Sequence, residues 1–211
     1  TEIGSVVHTF AKLDILKVGS DRNFRPLDKI TYEEACIILV RVLGYEEYIS
    51  ALGGNAFEYM GCAKKLNITI NKSVTDPITF SDAVELLART LNAYIYKPIF
   101  LGDGWTEYYQ TVTLMEHIYD VSVIKGFFNA NEWTSAYKDV ECPGKGRITI
   151  DKVVLDAKDS EYSESMLLGR RVKAYVKGMN DDVLPKVLLV IPDDEEMEIY
   201  SFSSNDFLGF D

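Results

Sequence analysis

A chain of 211 residues with 47% hydrophobic content is long enough to bury a real core and suits two small domains better than one large one. Its 22 Lys and Arg against 33 Asp and Glu leave a net charge of -11, which repels phosphate backbones and anionic lipid surfaces and argues against a nucleic-acid partner. No stretch is long and apolar enough to insert across a bilayer, and the start carries no signal-peptide pattern.

In chain order, the first feature is an apolar stripe. Val6, Val7, Phe10, Leu13 and Leu16 recur at three- and four-residue steps, the spacing of an amphipathic helix that faces a core. The stretch GSDRNFRPLDK, residues 19 to 29, has the Gly, Asp, Asn and Pro that turns require. A second helix follows in ITYEEACIILVRVLG, where Thr31 and Glu34 form a capping-box pattern. The same unit then returns. ITFSDAVELLARTLN, residues 78 to 92, repeats the Ile-Thr start, the Ala five residues after the Ile (Ala35, Ala83) and the Leu-x-Arg-x-Leu close. Leu66-Asn67-Ile68 echoes Leu13-Asp14-Ile15 at an offset of 53, whereas Ile78 echoes Ile30 at 48, so the second copy has a loop five residues shorter. Its helices hold Phe57, Met60 and Leu66 before the loop and Thr79 with Asp82 after it; Asp is shorter than Glu, which predicts a weaker box.

The expected organisation is two helix-loop-helix repeats over residues 1–95 (about 5–50 and 55–95), a connector and helix over 96–119, and a β-domain over 120–211. The connector, within AYIYKPIFLGDGWTEYYQ, is broken by Pro98, Gly102 and Gly104, and a third helix is expected over about residues 105 to 119. Beyond Asp120 the pattern becomes period-two and β-branched through VSVIKGFFNA, RITIDKVVLDA, RRVKAYVKG, KVLLVIPD and EEMEIYSF. SESMLLG, residues 163–169, reads as a short helix ending on Gly169. Three strands, a helix and two strands make a small antiparallel barrel in the order of the OB type, with an SH3-like barrel nearly as good. The fold class is therefore α+β.

Residues that could carry chemistry are few. His8 and His117 have no metal-ligand or base partners at useful spacing, so no metal site is expected. Cys36, Cys62 and Cys142 show no CxxC spacing; the first two sit among apolar residues as buried thiols. GKGR, residues 144–147, lacks the features of a phosphate loop and reads as a turn into a strand. Asp193 to Glu196 reads as a solvated hairpin tip rather than a calcium site. Tyr94, Tyr96, Phe100, Trp105, Tyr108 and Tyr109 could form a sugar platform, but such a cluster more often glues domains together. The stretch from Asp120 onward has 11 basic and 18 acidic residues, which denies an OB-type barrel the positive groove that single-stranded nucleic acid needs. No nucleophile, base and orienter constellation can be named, so no enzyme activity and no cofactor are expected.

LDILKVGSDRNFRPLDKITYEEACIILVRVLG resembles an S-layer homology (SLH) repeat: a helix ending Leu-Gly-Ile, a Gly-Asp-Gly-x-Phe-x-Pro loop, and a helix opening Ile-Thr-Arg-Ala-Glu. The match runs through Gly19, Asp21, Phe24, Pro26, Ile30, Thr31 and the Leu-Gly at 43 and 44, and a loop-trimmed copy follows from about Phe57 to Asn92. Through VIKGFFNANEWTS, ITIDKVVL and LLGRRVKAYV, the remainder resembles, more loosely, the β-domain that follows such repeats in surface proteins of Gram-positive bacteria. The resemblance implies a noncatalytic, extracellular, cell-surface module that grips an acidic cell-wall polysaccharide or other envelope proteins. It also fits the Thr start, which reads as a piece of a longer precursor whose leader lies elsewhere. The usual Arg is replaced by Tyr32 and Phe80, so the charged fork for a carboxylate is missing. The ligand-facing set becomes Tyr32, Glu33 and Arg41 in the first copy, Phe80, Asp82 and Arg89 in the second, and Trp105 in the connector. Arg41 and Arg89 read either as paired anion sites or as ordinary ion pairs on a helix face. The rival reading is a carbohydrate- or protein-binding accessory region of a larger secreted enzyme.

Overall fold

A computed structural model describes residues 2–13, 15–16, 25, 27–100, 106–109, 111–160, 167–179 and 183–193. The chain divides into two units, Thr1–Ile118 and Tyr119–Asp211.

The first unit contains helices α1 (Glu2–Lys12), α2 (Tyr32–Val42), α3 (Glu46–Ala51), α4 (Ala56–Lys65), α5 (Phe80–Leu91) and the start of α6 (Leu114–Tyr119). Both repeated starts cap their helices as the sequence predicts. The Thr31 hydroxyl accepts from Glu34 N while the Glu34 carboxylate accepts from Thr31 N at 2.9 Å, and Thr79 with Asp82 repeats the box at 2.7 Å. Despite the shorter Asp side chain the second box closes at distances no longer than the first, and Lys72 adds an ion pair to Asp82 at 2.6 Å. Helix α4 starts on the Asn55 side-chain cap and is followed by Asn67 at φ +57, a left-handed position that favours Gly or Asn.

Two departures concern the helices. The α1 stripe is not core: Val6, Phe10 and Leu13 are 51%, 38% and 62% exposed, and the core of this unit draws on residues from Ile30 onward. The helix expected over 105 to 119 begins only at Leu114, and strands β1 (Lys97–Phe100) and β2 (Thr106–Tyr109) pair antiparallel, Lys97 opposite Tyr109 and Phe100 opposite Thr106. Aromatic and β-branched residues suit paired strands, and this local preference prevails over the helical spacing. Ahead of the hairpin, Ala93 and Ile95 are buried, Ile95 N donates to Val112 O, and Tyr96 N donates to Leu43 O at 2.8 Å. Gly44, at φ +86, permits that crossing, since a Cβ there would lie 3.0 Å from Tyr96 O.

The second unit is a closed five-stranded barrel of β3 (Val121–Ala130), β4 (Arg147–Ile150), β5 (Val153–Asp156), β6 (Arg171–Lys177) and β7 (Lys186–Pro192), in the order β3-β4-β5-β7-β6 and back to β3. RITIDKVVLDA forms the β4–β5 hairpin, turned at Asp151 with φ +50. The barrel is not purely antiparallel either, because β5 meets β7 in parallel at Asp156 and Lys186. Alternation along β6 sends Val172, Ala174 and Val176 inward to Phe128, Ile148, Ile150, Leu155 and Val187. Each fully buried Val, Leu, Ile or Phe contributes roughly 1.5–3 kcal/mol. Gly126 in β3 clears room for Asp151, whose carboxylate accepts from Phe127 N at 2.9 Å. EEMEIYSF and residues 163–166 of SESMLLG lie outside the described residues, while Gly169 takes φ +77 as a helix-ending Gly would. Asp193 is a correction: it is not a solvated tip but 0% exposed, paired with Lys173 at 2.9 Å and flanked by Arg171 and Lys125. Charge on three sides compensates the burial of one carboxylate.

Candidate functional site

The repeat places Tyr32 and Phe80 at one position, at the first turn of α2 and of α5, and the fold treats them oppositely. Tyr32 is 2% exposed and Phe80 is 86% exposed. The Tyr32 hydroxyl donates to Ile70 O at 3.1 Å and accepts from Ile70 N at 2.9 Å. Tyr32 is thus a core residue and cannot stack on a sugar, which corrects its place among the ligand-facing residues. The amides of this helix start are also spent: Tyr32 N donates to Asp76 O at 2.8 Å, Glu33 N to Val74 O at 3.0 Å, and Glu34 N to the Thr31 hydroxyl. An anion cannot use the helix N-terminus here. Glu33 is half-buried beside the same loop.

The two arginines also part. Arg41 is largely covered, its side chain 13% exposed; it pairs with Glu46 at 2.9 Å, lies over the Tyr59 ring at 5.0 Å and reaches Ile15 O. The Tyr59 hydroxyl donates to the same Glu46 carboxylate. Burial, helped by that bond, pushes the Tyr59 phenol above its ordinary value. Arg41 is thus engaged by Glu46, Tyr59 and Ile15 O and largely covered. Arg89 keeps a 37% exposed side chain and a single-turn pair with Glu85 at 2.7 Å. It lines an open cleft of about 310 Å³ with Leu66, Asn67, Glu85, Ala88 and Asn92. Asn67 and Arg89 supply amide and guanidinium donors around that space, the chemistry that binds hydroxyls and carboxylates, while the Asn92 amide donates to Ala88 O at 2.8 Å. Asn67 and Asn92 were not legible as site residues from the sequence, though the Asn at a Leu-Gly-Ile position marks the turn that carries one of them.

Asp82 serves its helix: its carboxyl is held down to about 2, first by Lys72 and then by Thr79. Trp105 lies outside the described residues, and of the connector tyrosines Tyr96 packs on Tyr45 at 4.8 Å, so this ring consolidates the helical unit. Tyr94 is 46% exposed, with its backbone bridged to Thr113. In the barrel, a cavity of about 570 Å³ is lined by Glu132, Lys145, Gly146, Arg147, Ala157, Lys158 and Ser160. Among the described residues no group of three or more His, Cys, Asp or Glu could hold a metal ion, and no helix is long and apolar enough to cross a membrane.

Comparison with known proteins places this geometry in context. No family model matches the chain. No solved structure matches it. It is similar to the middle cell wall protein of Brevibacillus brevis (strain 47), 25% identical over an alignment of 190 residues that covers 81% of this chain and 18% of that protein. It is likewise similar to the surface layer protein of Brevibacillus choshinensis, 26% identical over 193 residues, 81% of this chain and 17% of that protein. The chain spans less than a fifth of the length of the relatives it matches, and the likeness runs across the greater part of its own two units.

Proposed function

We propose that this chain is a noncatalytic, extracellular module of a bacterial envelope, built from two SLH-type repeats and an OB-type barrel, and that it contacts cell-wall polysaccharide through the Arg89 cleft. The observation that carries the reading is the likeness, over 81% of the chain, to a cell wall protein and a surface layer protein. The paired capping boxes and the left-handed Asn67 support the repeat assignment. The barrel order, with its first strand closing on its fourth and its third pairing in parallel with its fifth, favours the OB alternative over the SH3-like one.

On this reading the charge lost from the helix start is supplied from further along the same helix. Arg89 offers a guanidinium to an acidic sugar, and Asn67 offers its amide to the hydroxyls. Asp82 caps the start of that helix. Sedimentation of the chain with purified polysaccharide from Gram-positive walls tests this: Arg89→Ala should lower retention at least about fivefold, the scale of one charge-assisted bond. Retention that is absent across several wall preparations, or unchanged in Arg89→Ala, would overturn it.

A further inference from the structure

The repeat register shows what an uncovered helix face is shaped to receive. At the 48-residue offset, Tyr32, Cys36 and Leu39 of α2 correspond to Phe80, Val84 and Leu87 of α5. The first three are 2%, 0% and 9% exposed and share one core with Tyr59, Cys62 and Ala63 of α4, the helix packed on α2. The second three are 86%, 51% and 55% exposed. At the 53-residue offset, Tyr59, Ala63 and Leu66 of the α4 region correspond to Val6, Phe10 and Leu13 of the α1 region, and these are the residues of the uncovered stripe. Each chain therefore carries the two sides of a contact it already makes once internally, one side open at α1 and the other open at α5.

We infer that the α5 face receives α1 of a second copy of this chain, in the manner in which α2 receives α4. A contact between two different surfaces is head-to-tail, so it propagates as a ring or an open chain of copies rather than stopping at a dimer. The docking face is separate from the Arg89 cleft: at 100° per residue, Phe80, Val84 and Leu87 lie about 120° around α5 from the row of Glu85, Ala88, Arg89 and Asn92. Two short helices meeting along one face make an interface at the small end of the range, below about 1,200 Å², so association belongs at about 10 to 500 µM.

Sedimentation equilibrium of the whole chain tests this. The wild type should gain mass steadily with concentration, whereas Phe10→Glu and Leu87→Glu should each stay monomeric with unchanged far-ultraviolet circular dichroism. Mixed in equal amounts, the two variants should form one-to-one heterodimers and nothing larger, since one intact α1 face meets one intact α5 face. Arg89→Ala should associate like the wild type, which separates this contact from polysaccharide binding. A wild type that stays monomeric to about 1 mM would overturn the inference, because α1 would then close on its own chain or leave the face to another protein. Variants that still associate alone, or a mixture that does not pair, would overturn it equally.

Discussion

The Tyr32 hydroxyl holds both the N–H and the C=O of Ile70, at 2.9 and 3.1 Å, across 38 residues of sequence. One phenol thereby pins the second repeat's loop to the first repeat's helix. Tyr32→Phe keeps the ring and removes both bonds, leaving two backbone groups near a buried side chain with less than full satisfaction. Urea unfolding should report a loss of about 1–3 kcal/mol. Phe80→Tyr, at the equivalent but exposed position, should stay within about 0.5 kcal/mol. Equal effects of the two would contradict the division between a buried and an open repeat position.

The pH dependence of the helical unit should carry the signature of Asp82. Its carboxyl falls from an ordinary 3.8 to about 2 in the folded chain, through Lys72 first and Thr79 second. A group with a depressed folded value stabilises fully above its unfolded value and loses that contribution as pH falls through the folded one. The difference in melting temperature between wild type and Asp82→Asn should therefore be constant above about pH 4 and close as the pH approaches about 2. A difference that persists unchanged through that window would mean that the ion pair with Lys72 does not form.

In the barrel, a Cβ on Gly126 would lie 2.2 Å from Asp151 Oδ2 and 3.1 Å from Ile150 Cγ2. Gly126→Ala must displace the carboxylate that accepts from Phe127 N, and it should cost about 1–3 kcal/mol in barrel stability. Asp151→Gly should recover part of the loss in the double variant, because it removes the clashing group and suits the positive φ. Additive losses in a double-mutant cycle would refute the contact.

Thiol labelling should separate three cysteines by burial. Cys36 is 0% exposed and Cys62 5%, and burial pushes the Cys62 thiol up to about 11 and the Cys36 thiol in the same direction. Cys142 is exposed. Brief iodoacetamide treatment at neutral pH should add one label per chain, at Cys142, and three in denaturant, read by intact mass. Rapid native labelling of Cys62 would mean that the α4 packing opens easily.

What could be read from the sequence was what is decided locally. Thr31 with Glu34 and Thr79 with Asp82 mark helix starts because a cap is a contact over three residues, and the alternation of β6 sorts Val172, Ala174 and Val176 inward for the same reason. What could not be read was decided by covering. Tyr32 and Phe80 occupy one repeat position, and nothing in either local stretch says that α4 and the Ile70 loop lie over one and not the other. Val6, Phe10 and Leu13 likewise have the spacing of a core face without a core to enter. The β1 and β2 strands are not legible because Lys97 to Phe100 and Thr106 to Tyr109 find their order in each other, not in their own four-residue patterns. In the site, Arg89 was visible by its place in the repeat, whereas its neighbours Asn67 and Asn92, 25 residues apart, come together only in the folded unit.

The amide of Ile78 donates to the carbonyl of Ile30 at 3.0 Å, and the first amides of α2 donate to Val74 and Asp76. As the chain leaves the ribosome, α2 thus waits for more than forty further residues before its first turn is complete. The first repeat therefore reaches its final hydrogen bonding only together with the second. A pause in synthesis between residues 45 and 70 would hold an open, apolar α2 at the point where it most easily meets the wrong neighbour.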